Sequence, residues 1–183
     1  MGKEEKEEKA YRKLIDMCAA NKKNFTIPNS APQHASYLIK TLFKEPTGET
    51  MRIFTGKLDE SVFADQELRV EAINFLKRNK NNIIKIAYQN EAVNVQDLLE
   101  GEFLNDIIED KEIQGQVVVW NASVSSRSIP NHFAVLDATA FRYELDERTK
   151  RAIANFGDSE NAENLVGIFD SIIEKSKKVY PQN

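Results

Sequence analysis

The chain has 183 residues, 41% hydrophobic and 30% charged, and a formal net charge of −4, with a mean hydropathy of −0.51. That is enough apolar material for one core and one main domain. No run approaches the roughly 18 apolar residues of a membrane span, the acidic balance does not favour a dedicated nucleic-acid binder, and a single cysteine, Cys18, excludes an internal disulfide or a cysteine-built zinc cluster.

Residues 3–9 alternate Lys and Glu and read as the solvated start of a helix. This charged beginning does not read as a signal peptide, so a reducing, cytoplasmic setting is expected. Tyr11, Leu14, Ile15 and Cys18 give that helix one apolar stripe, ending near Asn21. Residues 25–28 are expected to be a connector. A second helix starts at Asn29 or Ser30, with Pro32 in its first turn and Ala35, Leu38, Ile39, Leu42 and Phe43 inward.

Residues 51–55 are the first strand, closed by Gly56. An acidic link or short helical turn follows over 59–64, then a third helix over 66–78. Residues 83–88 are nearly all apolar, as a central strand requires. Asn94 and Asp97 begin a fourth helix, which Gly101 weakens by about 1 kcal/mol relative to alanine. Residues 116–120 form a third strand. A serine-rich loop, containing Ser123, Ser125, Ser126 and Ser128, leads to His132.

Residues 133–136 and 141–144 read as a hairpin about the polar break at 137–139, and 152–156 as a further strand. The last helix opens at Asp158 or Ser159. Ala162, Leu165, Val166, Phe169, Ile172 and Ile173 are its stripe, with Lys175, Lys177 and Lys178 in its last turn. Strand–helix–strand alternation implies parallel pairing. The expected fold is a three-layer α/β/α domain, its sheet mixed and mainly parallel with a late antiparallel hairpin. The expected organisation is a charged helix and connector over 1–28, the domain over 29–179 and a tail over 180–183.

Seven glycines form neither a dinucleotide fingerprint nor a P-loop. The two histidines, His34 and His132, have no acidic partner at a recognised metal spacing, and His34 reads as a surface residue in the first turn of a helix. No serine sits in a GxSxG elbow. No metal site and no cofactor are expected. Chemistry concentrates in 131–156, where a histidine, charged groups and an asparagine lie within strand-like sequence.

That stretch resembles the phospholipase D-like phosphodiesterases. The family carries His-x-Lys-(x)4-Asp on a strand and Gly-Ser-x-Asn-Phe on a neighbouring strand, followed by a helix. N-H-F-A-V-L-D resembles the first, and A-I-A-N-F followed by G-D-S-E-N-A-E-N-L-V resembles the second with its helix. The resemblance implies a histidine nucleophile that forms a phosphohistidine, with lysine and asparagine holding the phosphoryl oxygens. A second copy of the motif would protonate the leaving group.

His132 matches the histidine and Asn155 the asparagine, so these are the catalytic residues if the domain is active. The lysine position is Ala134, the aspartate position is Thr139, with Asp137 two residues earlier, and Gly-Ser is replaced by Ala152-Ile153. One motif per chain means that a complete site needs a homodimer. Arg142 could stand in for the lysine, but Arg142 and Glu144 share a strand face, which favours an ion pair.

The leading expectation is a catalytically degenerate phospholipase D-like domain acting as a binding or scaffolding subunit. Its partner would be another protein or a second copy of itself, met through the last helix or a strand edge. Nucleic acid is disfavoured by net charge, and a membrane is not expected. The alternative is an active dimeric phosphodiesterase or nuclease using His132. A third reading is a regulatory module that binds a phosphorylated ligand through Arg142, Glu144, Thr55 and backbone amides near Gly56.

Overall fold

A computed structural model describes residues 2–29, 31–89, 92–123, 126, 129, 131–146, 149 and 151–181. The elements run α1 (Lys3–Ala20), β1 (Ile27–Asn29), α2 (Pro32–Lys44), β2 (Thr50–Thr55), α3 (Glu60–Phe63), α4 (Gln66–Arg78), β3 (Ile83–Tyr88), α5 (Val95–Glu100), α6 (Glu102–Glu109), β4 (Gln116–Asn121), β5 (Phe133–Leu136), β6 (Ala140–Asp146), β7 (Arg151–Asn155), α7 (Ser159–Glu174) and β8 (Lys177–Tyr180). The eight strands form one sheet in the order β1-β7-β6-β5-β2-β3-β4-β8.

Helices lie on both faces. One face, with Met51, Ile53, Ile84, Ile86, Val119 and Ala134, packs against α1, α2, α4 and α6. The other, with Phe54, Phe133, Val135 and Phe141, packs against α7 through Leu165, Phe169 and Ile172. This is the three-layer α/β/α arrangement, and strand alternation explains the split: neighbours along a strand face opposite layers. The helical stripes are buried as their spacing predicts, including Leu38, Leu42 and Phe43 of α2 and Cys18 of α1.

Four local expectations are corrected. The parallel share of the sheet is smaller than expected, confined to β2–β3 and β3–β4. The other five ladders described are antiparallel. Residues 27–29 are not a connector but strand β1, antiparallel to β7. Three residues with a proline at their centre carry too little pattern to be read as a strand. The fourth helix breaks at Gly101, whose extended backbone (φ −60°, ψ 142°) separates α5 from α6. The last helix stops at Glu174, and Lys177 and Lys178 belong to β8, paired with β4. Tyr180 therefore lies in the sheet rather than in a tail. No helix among the described residues is long and apolar enough to cross a membrane.

Candidate functional site

His132 immediately precedes β5. Its position follows from hairpin register: the turn over 137–139 pairs Phe133 with Tyr143 and Ala134 with Arg142, and the next pair out brings the Glu144 amide to the His132 carbonyl at 2.8 Å. On the other side β5 runs antiparallel to β2, with Phe54 opposite Phe133, so His132 is level with Thr55. It therefore sits at the carboxyl end of the parallel strands β2 and β3, where loops gather and open α/β sheets bind ligands.

Around the imidazole is a half-buried hydrogen-bonded chain. Its Nδ1 lies 2.9 Å from Glu144 Oε2, with side-chain exposures of 13% and 6%. Its Nε2 lies 3.0 Å from the amide nitrogen of Gln89. The Glu144 carboxylate can only accept, so Nδ1 donates to it, and with the amide in this orientation Nε2 accepts from Gln89. The other Gln89 amide atom, Oε1, is buried with no hydrogen-bond partner among the described residues. The His132 ring also meets the Phe54 ring edge-on, with centroids 6.3 Å apart. Asn131 Nδ2 donates to the Glu144 carbonyl at 2.7 Å and fixes that end of β6.

Arg142 and Glu144 share the same face. Arg142 Nη2 lies 3.7 Å from Glu144 Oε1, and Arg142 Nε donates to Asn29 Oδ1 at 2.9 Å. Arg142 is 7% exposed and Glu144 4%. Burial pushes the guanidinium down from its ordinary value, and the Glu144 charge opposes that shift. Ala134, at the lysine position, lies directly across the ladder from Arg142. The cation opposite Ala134 is thus paired in place with Glu144. The cavity beside these groups holds about 50 Å³ and is lined by Ile53, Phe54, Thr55, His132, Arg142 and Glu144, among others.

The other candidates sit elsewhere. Asn155 is opposite Phe141 on β7, two strands from His132 and about 10 Å along the sheet at ~3.3 Å per residue. It is also on the α7 face. Its Nδ2 donates to Asn24 Oδ1 at 2.8 Å, and its Oδ1 accepts from the Gly157 amide at 2.9 Å. The residue that faces His132 on the neighbouring strand is Glu144, not Asn155. Strand β6 lies between β5 and β7 and separates Asn155 from His132.

Asp137 lies at the far end of β5, with φ +48°, and its carboxylate accepts from the Thr50 and Glu49 amides at 2.8 and 3.2 Å. Thr139 Oγ1 donates to the Leu136 carbonyl at 3.1 Å. Thr55 is buried, its hydroxyl donating to the Lys57 carbonyl at 2.5 Å, and Gly56 forms the half-buried bend that follows. Ser123 Oγ and Ser126 Oγ lie 3.1 Å apart, with Ser126 beside α7; Ser125 and Ser128 fall outside the described residues. His34 is half-buried, its Nε2 2.8 Å from Glu8 Oε2. No group of three or more metal-ligating side chains is arranged to hold an ion among the described residues.

The motif comparison missed Gln89 and gave Glu144 only a secondary role. Counting outward from the turn at 137–139 locates Glu144 from sequence alone. Nothing local marks Gln89, which is brought to His132 only by the parallel pairing of β2 with β3.

No protein-family model matches the chain, and no curated protein is significantly similar. Solved structures do resemble it. The phospholipase D family member Nuc of Salmonella typhimurium matches with a TM-score of 0.57 at 9% identity, covering 85% of this chain and 97% of Nuc. NucT from Helicobacter pylori matches with a TM-score of 0.55 at 10% identity, covering 85% of this chain and 99% of NucT. TrmBL2, described as an archaeal chromatin protein with a novel mode of DNA binding, matches with a TM-score of 0.52 at 12% identity, covering 96% of this chain and 64% of TrmBL2. The fold is therefore phospholipase D-like.

Proposed function

We propose that the chain is a phospholipase D-like domain without efficient phosphodiester chemistry, serving as a binding or scaffolding subunit for another protein or a second copy of itself. One observation carries this reading: the groups around His132 are matched to each other rather than to a phosphate. A transferring phosphoryl group needs cations and donors where its charge develops, and losing one such donor costs about 2.7–4 kcal/mol, or about 100- to 1,000-fold in rate. Here the lysine position is Ala134, and Arg142 is held by Glu144 and Asn29. An incoming phosphate would meet a buried carboxylate 2.9 Å from the imidazole. The phosphorylated-ligand reading meets the same obstacle.

One feature favours the second reading, an active dimeric phosphodiesterase. Glu144 on Nδ1 leaves the lone pair on Nε2, the state a nucleophilic imidazole needs. DNA binding is described for TrmBL2, so single- and double-stranded DNA belong among the substrates tried. The test compares wild type with His132→Ala on DNA and on bis-p-nitrophenyl phosphate in EDTA. The scaffold reading expects equal, background-level rates. Turnover in the wild type that disappears in the variant retires it in favour of the enzyme.

A further inference from the structure

A larger cleft lies beside the His132 pocket. It measures about 430 Å³ and is enclosed by α3, α5, α6 and the segment after β2, which places it beyond the carboxyl ends of the parallel strands. Its volume falls within the ~300–1,000 Å³ of small-molecule sites. Leu58, Phe63, Leu98, Phe103 and Leu104 make an apolar floor. The Phe63 and Phe103 rings close it edge to face, with centroids 5.2 Å apart.

The rim carries Asp59, Glu60, Asp97 and Glu102 against one cation, Lys57. Asp59 caps α3 through the Ser61 amide at 3.0 Å, and Glu102 pairs with Arg69 at 2.9 Å. Glu60 and Asp97 are exposed and, among the described residues, have no ion pair or side-chain hydrogen bond of their own. Each of Glu60, Asp97 and Glu102 lies in the first turn of its helix, where a carboxylate also offsets the dipole. A helix end contributes at most about half a charge, and these helices are only one or two turns long. Glu102 is matched by Arg69, which leaves Asp59, Glu60 and Asp97 facing Lys57 and the partial charges of these short helix ends. The apolar floor excludes water beneath them and concentrates the negative field within the cleft.

We propose that this cleft binds a small organic amine: an ammonium or guanidinium group held by Glu60 and Asp97, on an apolar body seated over Leu98, Phe103 and Leu104. Anionic ligands are repelled, and a neutral ligand of the same shape gains only the floor. The proposal is independent of whether His132 is active.

The probe is 4-phenylbutylamine, with 4-phenylbutan-1-ol as its neutral counterpart, followed by calorimetry and by methyl NMR of the full chain. The expected result is saturable amine binding that shifts the Leu98 and Leu104 methyls, at least tenfold tighter than the alcohol. The double variant Glu60→Gln, Asp97→Asn, both changes at exposed positions, should lose at least tenfold for the amine. It should bind the alcohol as before and stay folded, melting at most a few degrees lower because two first-turn carboxylates are lost. Three results would each overturn the site: no saturable amine binding, equal binding of amine and alcohol, or a folded double variant that still binds the amine at wild-type strength.

Discussion

Glu144→Gln is the most informative single change. The carboxylate is 4% exposed and touches two groups at once, Arg142 at 3.7 Å and His132 at 2.9 Å. The amide keeps the side chain's shape and an oxygen to accept from Nδ1, but it removes the charge that pairs with Arg142. Breaking a buried pair by removing one partner costs about 3–5 kcal/mol, because the other charge stays buried; an exposed pair costs about 0–1 kcal/mol. At ~2–4 °C per kcal/mol for a chain of this size, the buried case lowers the melting temperature by about 6–20 °C. Adding Arg142→Met removes both charges and should recover much of the loss, since buried pairs replaced by packed apolar groups are often near neutral. Recovery will be incomplete, because Asn29 Oδ1 then loses its donor. The assay is a double-mutant cycle by urea denaturation, with a coupling above about 1 kcal/mol expected. A Glu144→Gln cost below about 1 kcal/mol, or additive effects in the double variant, would refute the view that this cluster is a mutually neutralised unit.

Other outcomes follow from the packing. Gly167, inside α7, has nothing within 4 Å of an added Cβ, so Gly167→Ala should stabilise by about 0.5–1 kcal/mol in the same denaturation assay. Gly157→Ala should destabilise by about 1–3 kcal/mol, because its Cβ would collide with the Lys22 carbonyl and the Asn24 amide. Asp137→Ala frees two backbone amides at the start of β2, with an expected loss of about 1.5–3 kcal/mol by urea denaturation. Burial pushes the Glu8 carboxyl up, but hydrogen bonds from Arg12 and His34 outweigh it and hold the group below its ordinary 4.5. A carboxylate depressed on folding contributes stability that is fully present above the unfolded value and lost as pH falls through the folded one. Wild type and Glu8→Gln should therefore differ in stability above pH 4.5 and converge below it.

The helices and central strands were legible because their periodicity is strong. Leu38, Leu42 and Phe43 repeat at helical spacing, and 83–88 is continuously apolar, so local pattern and tertiary burial agree. The Arg142–Glu144 pair was legible for the same reason, since residues i and i+2 of a strand share a face. What failed was anything set by a partner. β1 and β8 are short strands that exist because β7 and β4 lie beside them. The lysines of β8 fitted a helix end just as well on local grounds. The pairing of His132 with Asn155 relied on motif likeness, and the hairpin register overrode it. Gly101 was read as a weak point in one helix, and the chain turns there.

The two outermost strands restrict how anything could join this molecule. β1 offers three residues, one of them Pro28, which has no amide to give and whose carbonyl already accepts from the Tyr11 hydroxyl at 2.9 Å. β8 presents exposed Lys177 and Lys178 beside an irregularity in its register with β4. Charge, proline and bulges all discourage a foreign strand from docking edge to edge. Both borders therefore favour a companion that recognises side chains on a helical face or in a cleft over one that adds a strand.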